Sequence, residues 1–166
     1  MNDAHLHLVF NHFPIIVPIV GLLILVVGLV IKSNSVIRTA FGVFVLGAIM
    51  TFPAMYTGEG AEEIAEKLPG VTDALIETHE EKAETLAIVN YLLGFVSLIG
   101  IWASWKQKSF AKTIAIGVLI LGLAGLYFGK MTGTSGGEIR HTEIRAGFGG
   151  NQSLTPENNS GEQNDD

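Results

Sequence analysis

Four long blocks of this chain carry no charge at all: 13–31, 39–57, 85–105 and 113–129. Each is close to the ~20 apolar residues that a helix needs to cross the hydrocarbon core of a bilayer. The runs are continuous rather than alternating, which excludes the strands of a membrane barrel. The expected fold class is therefore all-α: an integral membrane four-helix bundle of up-down-up-down connectivity. Composition agrees, with 48% hydrophobic and only 16% charged residues, against about 25% charged in ordinary soluble domains. No Lys or Arg precedes the first block, which is also too long for a signal core, so it reads as a retained span.

The charges between the blocks set an orientation. Lys32 and Arg38 flank one short loop; Lys106, Lys108 and Lys112 crowd another. Neither loop holds an acid, and all 16 Asp and Glu residues fall on the opposite side. Short Lys/Arg-rich loops stay in the cytoplasm. Both termini and the 58–84 segment are thus expected on the periplasmic side of a bacterial inner membrane. Within that segment, Ala61 to Leu68 has the look of a short acidic helix stopped by Pro69 and Gly70. Thr72 or Asp73 then caps a helix that nothing interrupts as far as Trp105. The domain spans 1–146. The tail 147–166 is almost devoid of apolar residues and is expected to be disordered.

What the chain lacks is equally restrictive. With no cysteine, disulfides, thiolate metal sites and covalently attached haem are excluded. A net charge of −6 argues against nucleic acid as a partner. No phosphate loop, nucleotide fingerprint or nucleophile–base set is present, so a stand-alone enzyme is not expected.

Chemistry is left to five histidines, His5, His7, His12, His79 and His141, all on the expected outer side. His12 lies at the mouth of the first span. His79 stands about two turns before the third, and His141 follows the fourth beyond a turn expected at 133–137. On a helix from Asp73, His79 shares its face with Leu75, Ile76, Ala83, Leu86 and Asn90, while Glu77, Glu80, Glu81 and Glu84 lie opposite. It should point into the bundle. His5, on a short N-terminal arm, should be solvated. Glycines recur within the spans, among them Gly21, Gly100, Gly122 and Gly125. They can serve close helix packing or open room for a flat cofactor.

The run His7, Asn11, His12, Phe13 and Pro14, then Thr78-His79-Glu80, then Gly136 and Gly137 before His141, together resemble a bacterial family of small four-span membrane proteins catalogued as a domain of unknown function. The resemblance covers all but the tail. The family usually has His-Pro at the first position, where this chain has His7 followed by Leu8. Some relatives are fused to Rieske or cytochrome c modules, which implies a redox neighbourhood.

Together these readings lead to an expected haem b electron-transfer protein or redox-complex subunit. His12 and His79 would face one iron across the core, and Arg140, Arg145 and Lys130 would pair with the propionates. A haem-free site for zinc or copper, drawing on His7, His12, His79 and His141, is the first alternative. A non-catalytic accessory subunit is the second. The expected partners are the lipid bilayer, a periplasmic cytochrome or Rieske-type protein, and a second copy of the chain in a homo-oligomer.

Overall fold

The computed structural model describes residues 2–146; the 147–166 tail lies outside the described residues. Among the described residues every regular element is helical. They are α1 (Asp3–Phe10), α2 (Phe13–Val30), α3 (Asn34–Ala65), α4 (Asp73–Trp105) and α5 (Ala111–Arg140), followed by a 3₁₀ turn at Thr142–Ile144. Four stretches, Asp3–Val30 and the three later helices, are long and apolar enough to cross a membrane, which makes this a multi-pass membrane protein.

The residues ahead of the first apolar block are helical, not an arm. Asn2 caps α1 by accepting the His5 amide at 3.0 Å. Asn11 and His12, between α1 and α2, keep right-handed helical dihedrals. Pro14 has no N–H to give the carbonyl four residues back, so the ladder is interrupted there without the chain leaving its course. The first span is therefore one 28-residue helical stretch that carries His7 as well as His12.

Two other expectations are corrected in the same direction. No separate acidic helix starts at Ala61, because α3 runs through Gly58 and Gly60 to Ala65. Interior glycine costs a helix only about 1 kcal/mol, and the bare face of Gly60 is occupied by the Asp3 side chain of α1. The 133–137 segment is likewise no turn, since α5 continues to Arg140. Its Ser135 bonds along and across the helices, to Thr132 O at 3.1 Å and to His79 Nδ1 of α4 at 3.2 Å. By contrast, α4 begins at Asp73 and is unbroken to Trp105, as its sequence requires.

The two basic loops are built alike. Lys32 and Gln107 adopt left-handed φ values of 54° and 50°. The following amides reach back to Gly28 and Ala103, each at 2.9 Å, and so close the helix ends.

Around the bundle, α2 and α4 each pack on both α3 and α5 and touch one another only slightly across the diagonal; α1 lies on α3. Towards the basic loops the centre is dry, with Leu25, Ala40, Phe41, Phe44, Leu93 and Val118 as its core. Apolar side chains such as Leu23, Phe95 and Ile120 face outward, as lipid contact demands. Lipid tails are as apolar as leucine, so the core holds through shape and dispersion rather than water exclusion. Here glycine decides the fit. A Cβ at Gly21 would stand 2.8 Å from the Phe44 ring, and one at Gly100 2.6 Å from the Phe41 ring.

Candidate functional site

At the acidic end the interior changes character, and the cause begins with prolines. Pro18 has no N–H, which leaves the Pro14 carbonyl without its helical partner inside the bundle. Asn90 of α4, 1% exposed, supplies one: its Nδ2 donates to Pro14 O at 2.9 Å and to Thr51 Oγ1 at 3.1 Å. Thr51 passes its own proton to the Gly47 carbonyl at 2.9 Å. A polar layer thus joins α2, α3 and α4 directly beneath a cavity.

That cavity is about 40 Å³ and is lined from every helix. His7 and Asn11 come from the first span with Pro14; Thr51, Ala54 and Met55 come from α3; His79, Ala83, Leu86 and Ala87 come from α4, and Thr132 from α5. The spacing 7, 11, 14, 18 is that of one helical face. His79, Ala83, Leu86 and Asn90 share the inner face of α4, as their phase predicts.

Hydrogen bonding sets the tautomer of His7 and is compatible with the same one in His79. His7 Nδ1 is 3.0 Å from the Ala54 carbonyl oxygen. A carbonyl only accepts, so the proton sits on Nδ1. The Thr57 hydroxyl, 3.4 Å from that nitrogen, is already donating to Pro53 O at 2.8 Å. His79 Nδ1 is 3.2 Å from Ser135 Oγ, and Ser135 donates its single proton to Thr132 O at 3.1 Å. In the tautomer that matches His7, His79 donates from Nδ1 to Ser135. That tautomer leaves the lone pair of each ring on Nε2, with the N–H anchored in the manner of imidazoles that ligate metals. Gly136 presses on the second ring: a Cβ there would meet His79 Cε1 at 2.9 Å.

The remaining sequence candidates lie elsewhere. His12 is exposed, contrary to the expectation that it turns inward. It sits one residue past Asn11, about 100° around the helix from the cavity-facing position. His141 is also exposed; it ends α5 and pairs with Glu143 Oε1 at 2.8 Å. Glu143, bonded by its own backbone amide and by His141, is held below the usual carboxylate range. Arg140 and Lys130 are exposed. Arg145 is a clamp: Nε donates to Glu138 O at 2.7 Å, and its two Nη atoms donate to Ile139 O at 3.0 Å and Gly70 O at 2.9 Å. It closes the end of α5 and ties it to the α3–α4 loop. His5 is exposed, as expected.

Among the described residues, no three His, Cys, Asp or Glu side chains converge as a metal-holding group. Haem b does not fit what is present. Cofactor pockets run to roughly 300–1,000 Å³, whereas this cavity holds about three waters at roughly 10–15 Å³ each. Three of the glycine faces that could have admitted a porphyrin are filled, at Gly21 and Gly100 by phenylalanine rings and at Gly122 by Leu22. The basic groups expected at the propionates are exposed or engaged with carbonyls.

Thr51, Met55, Thr57, Thr132 and Ser135 were not legible as site residues. The signal for His7 was the 7, 11, 14, 18 spacing, visible only if the helix is continued ahead of Pro14. The chain matches no protein-family model, no curated protein and no solved structure.

Proposed function

We propose that this chain is a multi-pass protein of the bacterial cytoplasmic membrane that holds one transition-metal ion between His7 and His79 on its periplasmic face. One observation carries the reading: two imidazoles, from the first span and from α4, line a single cavity with each Nδ1 already in a hydrogen bond. The Nε2 lone pair that this tautomer leaves on each ring is a strong donor to a metal ion. An ion with a water or two matches the available space, and a porphyrin does not. Imidazole suits late first-row metals.

The orientation follows from Lys and Arg in the two short loops, which keep the basic end in the cytoplasm. The resemblance to a family with Rieske and cytochrome c fusions supports a redox neighbourhood, in which a metal carrier or an accessory subunit of a membrane complex would work.

The test is elemental. The full-length protein, purified in detergent and dialysed against a weak chelator, is expected to retain about one transition-metal ion per chain, and His79→Ala to retain almost none. A wild-type protein that takes up no metal would leave the histidines as hydrogen-bonding groups of an accessory subunit. A red protein with a strong Soret band would return the assignment to haem b.

A further inference from the structure

Met55 lines the same cavity as His7 and His79. It directly follows Ala54, whose carbonyl fixes the His7 ring, and lies one helical turn beyond Thr51, which accepts from Asn90. Resting on the reading above, we propose that the Met55 thioether is the third donor and that the ion is copper(I).

Three properties of the lining select this ion. The first is softness. A thioether is a poor ligand for zinc, which takes Cys, His and carboxylate, and a good one for copper(I). The second is charge. No carboxylate and no Lys or Arg lines the cavity. An uncharged donor set leaves the whole charge of the ion in a low-dielectric interior, and that cost rises with the square of the charge. A monovalent ion is therefore favoured over a divalent one. The third is coordination number. Two imidazoles and one thioether fall short of the four protein ligands of a structural zinc site, while a soft monovalent ion accepts a low number. Asn11 also lines the cavity, and its Oδ1 is buried without a partner. It is placed to accept from a water beside the ion.

Methionine also fills irregular gaps in cores, and leucine does that equally well. Met55→Leu therefore removes the sulfur and conserves the volume. The chain has no cysteine and only four methionines, so copper–sulfur scattering can arise only from a thioether, and the variant shows which one.

The experiment uses the full chain in detergent. Copper(I) is supplied under reducing conditions in competition with a chromophoric chelator, zinc(II) is titrated in parallel, and X-ray absorption is recorded at the copper edge. The wild type is expected to bind copper(I) at least about 100-fold more tightly than zinc(II), with one sulfur in the first shell. Met55→Leu should lose that sulfur and about tenfold or more in copper(I) affinity, with its melting temperature and zinc affinity unchanged. A Met55→Leu protein with wild-type copper affinity, or a wild-type site with nitrogen ligands alone, would overturn the role of Met55 while uptake that depends on His7 and His79 still stood. A wild type that binds neither ion through those histidines would overturn both readings.

Discussion

The two ends of the bundle use the same helices and the same small residue, glycine, at their contacts, and they reach opposite results. Towards the basic loops, the notches at Gly21 and Gly100 are filled by the rings of Phe44 and Phe41, and the buried polar groups among the described residues are only the small hydroxyls of Ser97 and Ser104. Towards the acidic end, the notch at Gly136 receives the His79 ring, and the interior beside it carries Asn90, Thr51, Thr132 and Ser135. Glycine sets where a large side chain can enter a helix interface. The side chain that enters decides whether the result is packing or chemistry.

The largest effect expected from this contrast is structural and confined to the dry end. Phe44→Ala should cost roughly 3–5 kcal/mol, since it empties a filled core position, and should lower the detergent melting temperature sharply. Metal bound per folded chain should not change. If Phe44→Ala abolished binding in protein that remains folded, the two ends would not be separable.

The polar layer comes next. Asn90→Leu should cost about 1–3 kcal/mol, because the Pro14 carbonyl loses its donor in a buried setting. Unlike Phe44→Ala, it should also loosen the floor of the cavity and weaken metal binding. Restoring the helical partner offers a check from the other side: Pro18→Ala returns an N–H to Pro14 O, so Asn90→Leu should be better tolerated in that background. Additive losses in the double variant would contradict the account of Asn90.

Gly136→Ala probes the contact itself. The new Cβ would press the His79 ring at 2.9 Å, so metal affinity should fall by about tenfold with a stability loss of roughly 1–3 kcal/mol. Gly117, with open space around its Cα, is the control: Gly117→Ala should leave binding unchanged and melting the same or slightly higher. Equal effects at the two positions would show that the His79 contact is not special.

Much of the architecture was legible because membrane spans are written in uncharged runs. The limits of α4 and the inward face of His79 follow from a run with no interior breaker until Gly94, although the Thr72 side chain makes no capping bond. The rest was obscured at proline and glycine. Pro14 marks a helix start in most contexts, so the α1 residues read as an arm, His12 stood at the mouth of the span, and His7 was secondary. In the structure Asn11 and His12 stay helical, and the inward face passes through His7 and Asn11 instead. The separate acidic helix expected from Ala61 is the end of α3, whose Gly58 and Gly60 are covered by α1. Which glycine notch admits an aromatic ring is set by the neighbouring helix, and no single segment records it.

The exchange of His12 for His7 is the central claim, and one comparison tests it. Metal per chain is measured for His7→Ala and His12→Ala, each purified at full length in the same detergent. His7→Ala should lose the ion, because one of two anchored imidazoles is gone, and His12→Ala should keep the wild-type content, because that ring is exposed. Loss of metal in His12→Ala with retention in His7→Ala would contradict the site described here.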